Sequence, residues 1–266
     1  MATNQSSYFV KCITVSVLVL ICTSFIMHQH RPVLYIIGDS TVKNGDGKNN
    51  NLLQGWGSFI DQHFDTTRIS IENHAIGGRS SRTFITEGRW DKILATLKKG
   101  DYILMQFGHN DSGPLDDTAR ARGTLKGTGD DSVAIYNPIR KKNETVYSYG
   151  WYMKRYIDDA KAKGAIPIIC SPIPRNDWKE GKLVRANESY TLWAKQVAAN
   201  NGAFFIDLHN LIADKYDNDL GQEKASAFYP KEHTHTNRAG AELNAAIVAE
   251  AIKNLKACSL IDYLKK

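Results

Sequence analysis

The stretch PKEHTHTNRAG, residues 230–240, places one carboxylate, Glu232, and two imidazoles, His233 and His235, within four positions. Three readings compete for such a cluster: metal ligation, the acid–base half of a hydrolase, and a solvated polar loop. Spacing helps to separate them. In a four-residue turn, positions i and i+3 lie within about 7 Å at Cα, so the side chains of Glu232 and His235 can meet. A carboxylate bonded to one ring nitrogen fixes the tautomer and supports the imidazolium formed when the other nitrogen takes a proton. His233 and His235 share a side only where the chain is extended. A metal would need further ligands, and His109 and Asp111 are the remaining candidates. The acid–base reading is therefore preferred, and no metal site is assigned.

A base implies something for it to activate. Ser40, in GDST (38–41), directly follows an apolar run and a glycine. There it either caps the next helix or acts as a nucleophile, and a hydroxyl is a poor nucleophile unless a base assists it. Acyl transfer also needs donors aimed at the developing oxyanion. Gly78, in HAIGGRSSR (74–82), offers a backbone N–H with no side chain in the way. Asn110, in GHND (108–111), offers a side-chain amide. Glycine and asparagine fill turns everywhere, so neither is informative alone. Combined with Ser40 and His235, they complete a nucleophile, a base and an oxyanion hole.

These residues need a scaffold that gathers them. The runs VLYII (33–37), RISIEN (68–73), DYILMQF (101–107), AIPIIC (165–170) and AFFIDL (203–208) read as five strands. Several are apolar on both faces, as in strands buried inside a parallel sheet. Helical patterns separate them. In residues 87–98, Trp90, Ile93, Leu94 and Leu97 follow the i, i+3, i+4, i+7 rule, and Gly100 ends the pattern. Residues 148–163 and 187–201 read similarly, and a last helix spans about 238–256. Such alternation predicts right-handed βαβ units and a three-layer α/β/α sandwich around a five-stranded parallel sheet. Ligands of open parallel sheets gather beyond the carboxyl ends of the strands, which is where GDST, HAIGGRSSR and GHND fall. Residues 112–147 interrupt the rhythm without clear periodicity and read as either a binding loop or a solvated insertion.

Composition excludes little. The 266 residues are 42% hydrophobic and 23% charged, with net charge +6. That suits one soluble domain with a sizeable core. The mild positive charge is compatible with an acidic polymer, but no basic cluster interleaved with aromatics points to nucleic acid. Lys11 precedes a charge-free apolar run over residues 12–27. The run is short for a bilayer span and close to a secretory core, so residues 1–31 read as an export signal or a retained N-terminal membrane anchor. The domain then occupies residues 32–266. Exported here means periplasmic, at the cell surface or secreted. Cys12 and Cys22 lie in that leader; Cys170 and Cys258 remain, without metal or redox spacing. No signal for an oligomeric state is present.

The four blocks GDST, GGRSSR, GHND and EHTHTN, in this order and spacing, resemble those of the SGNH, or GDSL-like, hydrolases. The wording is most similar to that of the rhamnogalacturonan acetylesterases, and the similarity covers about residues 33–256. The resemblance implies a flavodoxin-like α/β/α fold, an esterase that removes acetyl groups from pectic rhamnogalacturonan, and no cofactor. It implies Ser40 as nucleophile and first oxyanion donor, Gly78 and Asn110 as further donors, and His235 as base. Glu232 stands where the family carries Asp, so its longer side chain needs a shifted loop or another rotamer. Arg79 and Arg82 are candidates for pairing with substrate carboxylates, and His233 matches a family position without a secure role. The alternatives are an esterase for another acetylated glycan such as xylan, a lipid or thioester hydrolase of the same fold, and a non-catalytic carbohydrate-binding relative.

Overall fold

The computed structural model describes residues 31–45 and 52–265. The leader, with Cys12 and Cys22, lies outside the described residues apart from Arg31. Residues 32–266 form one compact unit. No helix among the described residues is long and apolar enough to cross a membrane.

Five parallel strands make the central sheet: β1 (Val33–Gly38), β2 (Ser70–Asn73), β3 (Tyr102–Gln106), β6 (Ile166–Cys170) and β7 (Phe204–Ile206), in the order β2-β1-β3-β6-β7. These are the five runs read as strands. Side chains alternate between faces with period two, and both faces are apolar. Leu34 and Ile36 of β1, with Tyr102 and Leu104 of β3, join one core. Tyr35 and Ile37, with Ile103 and Met105, join the other. Two buried faces require two helical layers.

The first layer holds α5 (Leu208–Lys215), the short α6 (Gly221–Ser226) and α7 (Arg238–Lys253), which bury Ile212, Ala225, Ala241, Ala245, Val248 and Ile252. The second holds α1 (Ser81–Thr86), α2 (Arg89–Thr96), α3 (Tyr149–Ala162) and α4 (Tyr190–Asn201). α3 shows why such a segment becomes a helix. Ser148 caps it by accepting the Trp151 amide at 3.1 Å, and Tyr149, Tyr152, Met153, Tyr156 and Ala160 recur on its buried face. Cys170 and Cys258 are free and buried; Cys170 packs as a small hydrophobe.

Two expectations need correction. The helix read over 87–98 begins at Arg89 and ends at Thr96, with Leu97 extended but still buried. Gly88, in the left-handed region at φ 69°, separates it from α1. The segment 112–147 is not structureless: β4 (Ser132–Asn137) and β5 (Lys142–Tyr147) form an antiparallel hairpin. Its Val133 and Tyr136 are exposed and Val146 is its one fully buried apolar side chain, too little of an apolar face for a strand pattern to be read.

Candidate active site

β1 delivers the chain to Asp39, Ser40 and Thr41. The turn is made by Asp39, whose buried carboxylate accepts the Thr41 amide at 2.9 Å and the Thr41 hydroxyl at 2.7 Å. Its carbonyl accepts the Lys43 amide at 2.9 Å. Such an Asx-type turn bends the backbone sharply and leaves the next side chain, Ser40, at the sheet edge. A buried polar chain braces it from below. Trp56 Nε1 donates to Gln106 Oε1 at 2.9 Å, and Gln106 Nε2 donates to Thr41 Oγ1 at 2.7 Å. The His109 ring lies between Asp39 Oδ2, at 3.3 Å, and the Ile173 carbonyl, at 3.1 Å. Burial works to raise the pKa of Asp39, yet the adjacent His109 and the Thr41 donors hold it below the usual carboxylate value.

The loop before α7 supplies the second half of the site. His235 Nε2 lies 2.6 Å from Ser40 Oγ, and its Nδ1 lies 2.6 Å from Glu232 Oε1. An ionised carboxylate only accepts, so Nδ1 carries the ring proton and the lone pair of Nε2 faces the Ser40 hydroxyl. Glu232 curls back over its own turn. Oε1 also accepts the His235 amide at 2.8 Å, and Oε2 accepts the Thr234 amide at 2.8 Å. That curl absorbs the extra methylene of glutamate. Burial works to raise the pKa of Glu232, but the amide and ring of His235 and the amide of Thr234 outweigh it and keep the carboxyl below its ordinary value.

The turn itself is held on both sides. Gln54 and Thr236 exchange two bonds, amide to carbonyl at 2.8 Å and hydroxyl to carbonyl at 3.0 Å. Two residues beyond His235, Asn237 caps α7 by accepting the Gly240 amide at 3.0 Å.

The proposed oxyanion donors converge from two other strand ends. Gly78 has φ 78°, a left-handed conformation that favours glycine. The preceding Gly77 runs so close to the serine that a Cβ built on it would lie 3.6 Å from Ser40 Cβ. Neither the Ser40 amide nor the Gly78 amide donates to another group among the described residues. Asn110 Nδ2 donates to the Arg79 carbonyl at 2.9 Å, which fixes the amide's orientation and leaves its second N–H uncommitted. Asp111 ties this turn to the start of α1, accepting the Ser81 amide at 3.1 Å and hydroxyl at 2.5 Å. Complete burial pushes the Asp111 pKa up to about 7 despite those bonds.

The remaining candidates fall elsewhere. His233 and His235 part company: the ring of His233 contacts Asp177 at 2.8 Å and Arg175 at 3.1 Å, not Ser40 or Glu232. No group of three or more His, Cys, Asp or Glu that could hold a metal ion occurs among the described residues. Arg79 is about one-third exposed, with Nε on Glu87 at 3.0 Å and Nη1 on the Gly77 carbonyl at 3.0 Å.

Arg82 overturns the expectation of substrate contact. It has no solvent exposure, pairs with Glu144 of β5 at 2.8 Å, and donates to the carbonyls of Leu115 and Gly123. It is the post that anchors the hairpin and the 112–123 loop to α1. Removing one member of a buried pair strands the other charge, so Arg82→Ala should lower unfolding stability by about 3–5 kcal/mol. Denaturant unfolding measures this; a loss under about 1 kcal/mol would mean that the pair is not buried as described.

Sequence reasoning passed over Asp39 and its pairing with His109. The signal was present: an Asp immediately before the serine, two residues ahead of Thr41, is an Asx-turn pattern.

Comparison with known proteins shows which family and fold the chain shares. Residues 36–243 match the model of the GDSL-like lipase/acylhydrolase family. The chain is 33% identical over 227 residues to a rhamnogalacturonan acetylesterase of Emericella nidulans, covering 85% of each. It is 32% identical to a probable rhamnogalacturonan acetylesterase of Bacillus subtilis, covering 84% of this chain and 93% of that one. Among solved structures, YxiM from Bacillus subtilis superposes with a TM-score of 0.69 at 26% identity, over 86% of this chain. The overlap spans 58% of that chain's length. The acetylxylan esterase Axe2 from Geobacillus stearothermophilus shares the fold, with a TM-score of 0.53 at 16% identity over 85% of this chain and 94% of that one.

Proposed function

Because the chain belongs to the GDSL-like lipase/acylhydrolase family, we propose that it is a serine esterase that removes acetyl groups from pectic polysaccharide, with acetylated rhamnogalacturonan as its substrate. The observation that carries the reaction type is the 2.6 Å contact between Ser40 Oγ and His235 Nε2, backed by Glu232 on the far ring nitrogen. The choice of polymer is supported by the two relatives named as rhamnogalacturonan acetylesterases.

In this reading Ser40 Oγ attacks the acetyl carbonyl carbon while His235 Nε2 takes its proton. Glu232 holds the resulting imidazolium in place. The carbonyl oxygen becomes an oxyanion and receives hydrogen bonds from the Ser40 and Gly78 amides and from Asn110 Nδ2. Collapse breaks the bond to the sugar oxygen, which leaves as a hydroxyl with the proton from His235. Water, deprotonated by the same nitrogen, then cleaves the acetyl-serine and releases acetate. Each step draws on protein side chains, backbone amides and water.

Residues 1–31 act as an export signal or membrane anchor, and residues 32–266 as the esterase domain. Such an arrangement suits an enzyme whose polymeric substrate lies outside the cell.

The test is acetate release from acetylated rhamnogalacturonan, acetylated xylan and a short aryl acetate. The pectic polymer is expected to exceed xylan in kcat/KM by about tenfold or more, the factor given by roughly 1.4 kcal/mol of differential transition-state binding. Preference for xylan, or no acetate from either polymer, contradicts the assignment.

A further inference from the structure

Beside the Gly77–Gly78 turn lies a cavity of about 390 Å³ whose lining includes Arg79, Arg120 and Arg122. Three guanidiniums around one small cavity need negative charge, and little is supplied. Among the lining residues Glu87 is the one carboxylate, and it is shared by Arg79 at 3.0 Å and Arg89 at 2.7 Å. Neither Arg120 nor Arg122 makes an ion pair among the described residues. Asp117 Oδ1 accepts the backbone amides of Arg120, at 3.2 Å, and Ala121, and its charge favours the Arg122 cation without forming an ion pair with it.

The backbone between the two arginines is strained. Ala121 has φ 42°, a left-handed conformation unusual for a residue with a Cβ, and it is buried. Buried Ala121 is thus flanked by two arginines that line the cavity. Strain of this kind persists where surrounding structure enforces it, and it gathers at ligand clamps. Burial, and then the like charge of Arg120, lower the pKa of Arg122 and outweigh the opposing charges of Asp117, Asp39 and Asp111, none of which forms an ion pair with it among the described residues.

The cavity also touches the chemistry. Arg122 Nη1 donates to the Gly78 carbonyl at 3.3 Å, one residue from the glycine packed against Ser40. Gly77 itself also lines the cavity, so the same glycine borders both the cavity and Ser40.

We propose that this cavity is a carboxylate subsite, in which Arg120 and Arg122, with Arg79 at the rim, hold a uronate carboxylate of the glycan whose acetyl group lies at Ser40. The subsite rests on the esterase reading above and adds to it the residues that select an acidic glycan over a neutral one. Arginine suits the task because its planar fork meets both carboxylate oxygens. Exposed Arg120 can turn its fork onto the carboxylate, and half-buried Arg122 is held in place against the Gly78 carbonyl.

Two measurements on the intact protein test this. In the first, acetate release is compared between acetylated rhamnogalacturonan and the same polymer with its carboxyl groups reduced. Reduction should lower kcat/KM by about tenfold in the unmutated enzyme, and by much less in Arg120→Gln with Arg122→Gln. In the second, an oligogalacturonate competes with aryl acetate hydrolysis. Its inhibition constant should rise about tenfold in Arg120→Gln and recover in part in Arg120→Lys, which keeps the charge without the fork. An inhibition constant unchanged by Arg120→Gln, or no inhibition of the unmutated enzyme, overturns the subsite. So does indifference to carboxyl reduction in an enzyme that deacetylates the pectic polymer. Failure to release acetate from that polymer contradicts the function instead, and the competition experiment then still decides the subsite.

Discussion

Ser40→Ala should lower kcat for acetate release by about 10⁵–10⁶-fold, the loss seen when a serine hydrolase forfeits its nucleophile. On the proposed mechanism Ser40 Oγ, 2.6 Å from His235 Nε2, is the attacking atom, so no acyl-enzyme should form without it. A small residual rate should persist, because in this mechanism the Gly78 amide and Asn110 still polarise a bound ester toward attack by water. Stability should barely change: Ser40 is half-buried and its hydroxyl contacts His235, while the fold of its turn is carried by Asp39 and Thr41. Acetate assay and thermal unfolding on the same preparation separate the two effects. A variant with near-normal turnover would mean that another group attacks the ester.

His235→Ala should be nearly as damaging, by about 10⁵–10⁶-fold in kcat, since Ser40 is then a neutral hydroxyl without a proton acceptor. Glu232→Ala should cost less, about 10⁴-fold, because the imidazole remains but loses its tautomer and orientation. Glu232 contributes more than the ion pair. Its two oxygens accept the amides of Thr234 and His235, so the alanine variant also loosens the turn that aims the ring. The order of damage, histidine above glutamate, follows from these contacts and is read by kcat for an aryl acetate. Equal activity of Glu232→Ala and the unmutated enzyme would place the orienting acid elsewhere.

Much of this arrangement was legible in the sequence because it depends on local rules. VLYII and AIPIIC are apolar on both faces, and a strand with two buried faces has few homes other than a parallel sheet between helices. Once the sheet is parallel, the carboxyl ends of its strands gather on one edge, bringing together Ser40, Gly78 and Asn110. The i, i+3 spacing of Glu232 and His235 likewise foretold their contact.

What escaped depends on partners distant in sequence. Arg82 looks like a surface cation until Glu144 arrives 62 positions later and buries it. The hairpin of β4 and β5 hides because its outer face is solvated, and its anchor is that same buried pair. His109 sits in a block read mainly for its neighbour Asn110, yet its ring meets Asp39 70 positions earlier. Charge alone could not distinguish Arg82, locked in the interior, from Arg120 and Arg122, which line a cavity next to the site. Three-dimensional pairing decides that difference.

Covalent labelling with a serine-directed organophosphonate, followed by peptide mapping, addresses the central claim most directly. The reagent mimics the tetrahedral intermediate and reports which hydroxyl the base activates. The predicted result is one label, on Ser40, formed in step with loss of esterase activity, strongly slowed in His235→Ala and absent from Ser40→Ala. A label on any other residue, or full inactivation with Ser40 unmodified, would contradict the account.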